Sequence, residues 1–474
     1  MTSFKTLLIT LLNIMMKKLL ALLIFTTSLA NAQYTVKGTM TPPDKGDWVI
    51  LYKIEGAKQK FLANATIKFD TVAISGEKQV LGKFSFELPN TATPGAYRAT
   101  YRNSGAGFVD FFFNKENVEF VFNPKYPDQS VLFTSSRENK LYNEYLQAYN
   151  AVQKKIDSLQ ASYIETKSKD TKKAYKKELK ELEDVQEMYE NKSEGMLVNS
   201  FIKASRRYNS SNPHDNVQDY LSATSENFFE YVDFKSDKLY NSSFLIDRIN
   251  DYVFYLNYSE DKDVQQKLIK ESITNVMKKI SSDKLEKAVI DYLISALTEK
   301  RNGPAVDWMF AEYYDKLPAE DQDVDFKKEK LDILLATVGR VAPDFSWKEG
   351  DKEYKLSTLN DGNKYLLVFW STGCPHCIKE IPELYKFMQT HKEVSVVSFG
   401  IENEENEWDE FVKNLPGWHN AIGTHPEYKF DNETVKKYNL LGTPSYFVLD
   451  KDKNIIAMPD HVEDVEKYFN SDKK

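Results

Sequence analysis

Two cysteines in 474 residues is very few, and the scarcity excludes most of what cysteine does in proteins. A structural zinc site needs two more soft ligands than one Cys pair supplies. No other Cys exists, and His214, His391, His419, His425 and His461 are scattered singly. A framework of structural disulfides is excluded as well. The one bridge available, Cys374 to Cys377, would close so short a loop that it would stabilise little, because the entropic gain grows with loop length. What remains for Trp370-Ser371-Thr372-Gly373-Cys374-Pro375-His376-Cys377 is redox chemistry.

Positive charge is outnumbered, 63 Lys and Arg against 71 Asp and Glu. The formal net charge is −8, and residues 1–32 carry three Lys and no acid, so losing them would take −8 to −11. Such a chain has no electrostatic reason to bind nucleic acid or an anionic membrane. One long membrane span is disfavoured, since Lys17 and Lys18 interrupt the apolar stretch that begins at Leu7. Instead, basic Met16-Lys17-Lys18, apolar Leu19 to Phe25 and Ala30-Asn31-Ala32 have the layout of a secretory signal peptide, residues 1–32, with Met16 an alternative start. No Cys follows it, which excludes a lipid anchor on a first-residue cysteine. The expected mature protein is exported to the periplasm or cell envelope and held together by its cores alone. Its length calls for several domains.

Residues 33–127 read as β. Tyr34 to Gly38, Trp48 to Tyr52, Gly82 to Leu88 and Gly95 to Tyr101 are short β-branched or aromatic runs, and Phe108 to Phe122 adds two more strands. Pro42 to Gly46, Ser75-Gly76 and Asn103-Ser104-Gly105 supply turns. A small antiparallel sandwich or barrel is expected.

Residues 128–335 read as helical. Tyr145, Tyr149, Val152, Ile156, Leu159 and Tyr163 alternate spacings of four and three, which makes one helical stripe. After a break at Lys167 to Thr171, Tyr175, Leu179, Leu182, Tyr189 and Met196 resume the rhythm. Two antiparallel helices packed along this seam are predicted, with a partner-binding coiled coil as the functional alternative. Amphipathic segments follow at Asn241–Tyr258, Val264–Ile280 and Asp283–Lys300, and Phe228, Phe229, Tyr231, Phe254 and Tyr255 are expected in a core.

Residues 336–474 alternate strand and helix. Tyr365 to Trp370 and Val394 to Ile401 are buried strands, Ile378 to His391 and Trp408 to Leu415 helices. Tyr446 to Asp450 and Asn454 to Ala457 form a hairpin, and Val462 to Asn470 a last helix. Parallel β-α-β followed by a hairpin and a helix is the thioredoxin-type order, so the fold class is a multidomain chain with an N-terminal β-sandwich or barrel, a central α-helical region and a C-terminal α/β domain.

The last region resembles the extracytoplasmic thioredoxin-like thiol–disulfide oxidoreductases of the TlpA and ResA type. The residues that carry this are Gly339-x-x-Ala342-Pro343-Asp344-Phe345, then Trp370-x-x-x-Cys374-x-x-Cys377-x-x-Glu380-x-Pro382, then Gly442-Thr443-Pro444. The strand pattern of 33–127 resembles the β-domain that precedes thioredoxin modules in envelope proteins of Bacteroidetes-type bacteria. The first resemblance implies an enzyme that exchanges disulfides with protein substrates, without cofactor or metal. Its partners would be protein thiols or disulfides in the envelope and a membrane or periplasmic redox partner.

In this pattern Cys374 opens a helix, where free N–H groups and the helix dipole favour the thiolate, and the more buried Cys377 resolves the mixed disulfide. Pro375 suits the first helical position, and His376 would favour the reduced form. Glu380 would tune Cys377 and accept its proton; its bland alternative is a solvated helix carboxylate. Val368 stands where cytoplasmic thioredoxins place a buried Asp, which leaves the carboxylate role to Glu380. Trp370 is expected beneath the loop. Pro444 is expected to be cis and to face the cysteines, with Thr443 lending its backbone to a substrate strand; a plain turn proline is the alternative. Cys-Pro-His-Cys is the loop of oxidising periplasmic disulfide donors while the surrounding family is mostly reducing, so the direction of electron flow stays open. Two other functions compete. A peroxiredoxin-like peroxidase shares the Ala-Pro-Asp-Phe opening but wants Pro and Thr where Leu367 and Ser371 stand. A substrate- or partner-binding envelope protein would use the thioredoxin module as an accessory, with 33–335 as the working part.

Overall fold

The computed structural model describes residues 32–44, 46–74, 77–102, 107–256, 258–404 and 406–471. The expected signal peptide (except Ala32), Lys45 in the Pro42–Gly46 turn, Ser75-Gly76 and Asn103-Ser104-Gly105 lie outside the described residues. The described residues divide into two compact units, with the division between Glu286 and Lys287.

The first unit opens with strands β1 (Ala32–Met40), β2 (Trp48–Glu55), β3 (Lys58–Thr66), β4 (Lys68–Ile74), β5 (Glu77–Pro89), β6 (Gly95–Thr100), β7 (Phe108–Phe113), β8 (Val118–Phe122) and β9 (Leu132–Phe133). They form two sheets, ordered β4-β5-β1-β8-β9 and β3-β2-β6-β7. Alternation drives this: Phe84, Phe86 and Leu88 on β5 and Phe111 and Phe113 on β7 turn inward to one core, while their neighbours face out. Gly38 sits on β1 because a Cβ there would come within 2.0 Å of the Phe84 ring. The sandwich is not purely antiparallel, since β1 pairs with β8 in parallel. Strands β3 and β4 escaped the sequence pattern because β3, Lys-Gln-Lys-Phe-Leu-Ala-Asn-Ala-Thr, is exposed along most of its length and shows no buried face.

Two long helices follow, α1 (Arg137–Thr166) and α2 (Lys169–Lys192). Ser136 caps α1, Lys167 ends it in the left-handed conformation, and the Ser168 hydroxyl caps α2. The two aromatic stripes meet as expected in one core of Tyr145, Tyr149, Ile156, Tyr175, Leu182 and Tyr189. Tyr145 donates to Gln186 Oε1 at 2.9 Å within it. The stripe is thus satisfied inside the chain; Met196 joins the core from beyond the end of α2. Shorter helices α3 (Asn199–Ser205), α4 (Val217–Glu226), α5 (Phe244–Asn250) and α6 (Lys262–Met277) complete the unit. The expected Asn241–Tyr258 helix is α5 running into a π-helical turn, Asp251–Leu256. Phe229 and Phe254 are buried, Phe228 and Tyr231 partly so, but Tyr255 is 67% exposed and does not belong to the core. The wider π turn departs from the 3.6-residue rhythm of the expected amphipathic segment.

The second unit is entered through α7 (Asp283–Glu299), within which the division of the chain falls, and continues with α8 (Gly303–Glu312) and α9 (Val324–Ile333). After the hairpin β10 (Ser346–Glu349) and β11 (Lys352–Lys355) come β12 (Lys364–Trp370), α10 (Pro375–Met388), β13 (Val394–Glu402), α11 (Asn406–Val412), β14 (His419–Thr424), α12 (Glu433–Lys437), β15 (Ser445–Asp450), β16 (Ile455–Ala457) and α13 (Val462–Ser471). The sheet order is β14-β13-β12-β15-β16, with β12, β13 and β14 parallel and β15 and β16 antiparallel. The central strand β12 is buried on both faces, which is why it reads as a continuous apolar run. Tyr365, Leu367 and Phe369 enter one core; Leu366, Val368 and Trp370 enter the other with α10 and α13. Strand β14 gives His419 the place that the sequence pattern did not.

Candidate active site

The site lies where β12 delivers the chain into α10. Helix α10 begins at Pro375, three residues before the expected Ile378, because Cys374 is its N-cap and Pro375 supplies the first position, where an N–H would have no partner. The Cys374 sulfur accepts the Cys377 N–H at 3.4 Å and lies 3.3 Å from the Thr443 carbonyl oxygen. Both cysteines are free thiols, Cys374 half-buried and Cys377 buried in the core with Trp370, Ile381 and Tyr446.

The two sulfurs are driven apart in acidity. Burial opposes the Cys374 thiolate, but hydrogen bonds from the Cys377 thiol, from the Thr443 side chain and from the N–H groups of Cys377 and His376 outweigh it and hold its pKa below the ordinary thiol value. Burial pushes the Cys377 thiol up, and the neighbouring Cys374 adds to the rise. A more acidic, half-buried thiol beside a buried, less acidic one is the asymmetry that suits exchange through a mixed disulfide.

Trp370 is wholly buried; its indole donates to Ser398 Oγ at 2.7 Å and packs on Trp408 and Phe411 at 4.7 and 4.8 Å. It floors the loop. His376 is exposed, and the contact it makes with Cys374 is through its backbone N–H. The Thr443-Pro444 bond is cis, and Thr443 stands against the Cys374 sulfur. Glu380, half-buried on α10, accepts a hydrogen bond from the Tyr446 hydroxyl at 3.0 Å. Burial first, then the charges of Glu380 and Cys377, raise the Tyr446 phenol well above its usual range. Val368 is completely buried in the Cys377 core, so no carboxylate stands at that position.

A second set of groups beneath the loop was not anticipated. Glu402, buried at the end of β13, accepts from the Thr372 N–H, the Thr372 hydroxyl at 3.0 Å and the Ser371 hydroxyl at 3.1 Å. Lys429 donates to Ser371 Oγ at 2.7 Å, and the Gly373 N–H reaches the same oxygen at 3.2 Å. The Ser371 carbonyl in turn accepts the Cys374 N–H at 3.1 Å. One buried carboxylate therefore fixes Ser371 and Thr372, which lead through Gly373 to Cys374. The available signal was an acid at the carboxyl end of an apolar parallel strand, where α/β sheets gather their functional groups.

A dithiol at a helix start, facing a cis-proline segment on a thioredoxin-type sheet, defines a thioredoxin-like redox domain. A family profile described as the AhpC/TSA family matches residues 338–458. The thiol-disulfide oxidoreductase ResA of Bacillus thuringiensis subsp. konkukian is 30% identical over 138 residues, 27% of this chain and 70% of that protein. Sporulation thiol-disulfide oxidoreductase A of Bacillus subtilis is 29% identical over 101 residues, 20% of this chain and 58% of its own. Among solved structures, the thioredoxin domain of a thiol-disulfide oxidoreductase from Bacteroides vulgatus is 20% identical and covers 29% of this chain and 99% of that one, with a TM-score of 0.26. The chain belongs to the thioredoxin-like thiol–disulfide oxidoreductases of the ResA type.

Proposed function

We propose that the protein is an exported thiol–disulfide oxidoreductase that exchanges disulfides with protein substrates in the periplasm or cell envelope through Cys374 and Cys377. The observation that carries this is the acidity split between a half-buried Cys374 at the α10 start and a buried Cys377. In the reducing direction the Cys374 thiolate attacks one sulfur of a client disulfide; a Cys374–client disulfide forms and the other client sulfur leaves as thiolate. Cys377 then gives up its proton and attacks Cys374, which releases the second client thiolate. The enzyme is oxidised and the client reduced by two electrons. The oxidising direction is the reverse. The Cys377 proton goes to Glu380, for which the hydrogen-bonded Tyr446 hydroxyl, sensitive to both groups, is a supporting contact. The client chain lies along Thr443 and Pro444. Its disulfides or thiols, and a membrane or periplasmic partner that restores the enzyme, are the expected partners.

The test is trapping. Cys377→Ala should accumulate mixed disulfides with exported proteins, and Cys374→Ala should not; the opposite result would reverse the two roles. Leu367 and Ser371, where a peroxidase would carry Pro and Thr, support exchange over peroxide reduction, so turnover of hydrogen peroxide should be negligible. Residues 33–335 are proposed to select the client. A fragment of 287–474 should keep the full chain's rate on a small disulfide and lose its discrimination among exported proteins. It should also be more stable than 336–474, because Arg301 donates to the Asn439 carbonyl at 2.8 Å and Arg340 pairs with Asp307.

A further inference from the structure

The first unit contains a cavity of about 350 Å³ between the outer face of β7 and helices α1, α3 and α5. Its apolar wall is made by Phe112, Tyr142, Leu146, Phe201 and Phe244. Phe112 packs against Phe201 and Tyr142 at 4.5 and 5.2 Å, so the wall is a preformed aromatic surface. Three carboxylates also line the cavity, Asp110, Asp128 and Asp247. Arg98, whose charge acts on all three, is committed: it makes a bidentate pair with Asp110 at 2.6 and 2.7 Å and lies 3.7 Å over the Phe108 ring. Asp128 and Asp247 are exposed at the mouth. Among the described residues no three His, Cys, Asp or Glu side chains gather closely enough to hold a metal ion. The surplus negative charge therefore suits an organic cation with an apolar body.

The backbone beside the cavity narrows the class further. Strand β7 is the edge of its sheet. At Phe112 the place of a missing neighbour strand is taken by Asn139, whose amide accepts the Phe112 N–H at 2.8 Å and donates to the Phe112 carbonyl at 2.7 Å. Hydrogen-bonding direction alternates along an antiparallel strand, so the N–H and C=O of Asp110 face this same edge. Among the described residues nothing is bonded to them there. An edge with unpaired backbone groups, next to an apolar pocket and an acidic mouth, is suited to strand addition.

The geometry points to this cavity as a binding site for an extended polypeptide segment that carries a basic side chain two residues from a large apolar one. In an extended chain such residues share a face; the apolar one would rest against Phe112 and Phe201, the basic one reach Asp128 and Asp247. The segment belongs to the protein client, so the inference rests on the reading of the protein as a protein-directed oxidoreductase and gives the selecting region a site.

The test is calorimetric titration of the full-length chain with acetyl-Ser-Thr-Lys-Val-Phe-Thr-Ser-Ser-amide. Two controls replace its Lys by Glu or its Phe by Ser. The parent peptide should bind about tenfold or more tightly than the glutamate control, since reversing the sign turns attraction into like-charge repulsion. Asp128→Asn and Asp247→Asn should each weaken the parent roughly two- to fivefold, as exposed ion pairs do, and leave reduction of a small disulfide unchanged. Equal binding of all three peptides, or binding indifferent to both Asp variants, overturns the inference. So does binding of 2-phenylethylamine with the same Asp dependence when the peptide does not bind, because the cavity then takes a free small cation. Absent peptide binding with mixed disulfides still trapped by Cys377→Ala defeats this inference alone. Peptide binding without any trapped mixed disulfide sustains the site and defeats the proposed function.

Discussion

Replacing Cys377 by Ala does more than stop resolution; it removes a hydrogen-bond donor from the Cys374 thiolate. The Cys377 thiol is the first of the contacts that hold Cys374 below the ordinary thiol pKa against its own burial. A hydrogen bond to a charged group contributes about 1.5–3 kcal/mol, and one pKa unit corresponds to about 1.4 kcal/mol. A thiol is a weak donor, so the lower end applies, and the Cys374 pKa should rise by roughly one unit.

Two effects then oppose each other. Well below the pKa, the thiolate fraction falls about tenfold for that rise, while the more basic sulfur is intrinsically about threefold more nucleophilic at a Brønsted slope of roughly 0.4–0.5. The net is about a threefold loss at low pH. Above both pKa values the fraction no longer matters, and the variant should attack about threefold faster than the wild type. The pH profiles of the two proteins should therefore cross. The assay is the first attack on oxidised glutathione, acid-quenched and read by mass spectrometry across the pH range. Cys377→Ser, which keeps a donor hydroxyl, should restore most of the wild-type profile. A uniform rate change at every pH would mean altered access rather than altered acidity. An unmoved pKa in Cys377→Ala would refute the hydrogen-bond argument.

Glu402→Gln should leave a buried donor beneath the loop poorly paired and cost about 1–3 kcal/mol, read as a lower urea midpoint, with Cys374 alkylation less selective over other nucleophiles. Gly400→Ala would place a Cβ 2.5 Å from the Trp408 ring, which packs at a tilt on Trp370, so overpacking of about 1–3 kcal/mol and a changed tryptophan emission are expected; unchanged emission would show that the ring pair absorbs the methyl elsewhere. His376→Ala keeps the backbone N–H that touches Cys374 and removes only the imidazole. A fall in reduction potential of tens of millivolts, where about 30 mV is 1.4 kcal/mol for two electrons, would assign the effect to the side chain, and an unchanged potential would assign it to the backbone.

The site was legible where chemistry forces residue identity. Cys374 and Cys377 cannot be exchanged for other residues and keep a dithiol at a helix start, and Trp370, Pro375, Glu380 and Pro444 come with the pattern they belong to. Buried strands were legible for the reason β12 shows: with both faces covered, the run from Tyr365 to Trp370 is continuously apolar or aromatic. What escaped was held by polar contacts between segments distant in sequence. Glu402 lies 30 residues from Thr372, and Lys429 lies 58 from Ser371; neither has a local periodicity to announce it. Strands β3 and β14 escaped for a related reason, one nearly all exposed and the other mixed in burial. Both are specified by pairing with β2 and β13, and pairing leaves no trace in hydropathy.

The acidity split also bears on the direction of electron flow. Reduction of the disulfide yields two thiols, and a thiolate that is stabilised favours the reduced, dithiol state, which makes the couple more oxidising. Only the part of the Cys374 depression that falls below ambient pH counts toward this, because above that point the sulfur is protonated in any case. Cys377, raised by burial, stays protonated and contributes nothing of the kind. The potential near neutral pH thus turns on one sulfur and on the groups around it: the Cys377 thiol, Thr443, two backbone N–H groups and burial working against them. The loop sequence favours oxidation, yet the half-buried setting of Cys374 pulls the other way, so the same four-residue motif can serve either direction depending on how much of that sulfur the fold covers. The consequence is measurable: the potential should change with pH by about 60 mV per unit while both thiols are protonated, and by about 30 mV per unit once Cys374 is ionised, and the break between the two slopes marks its pKa in the working enzyme.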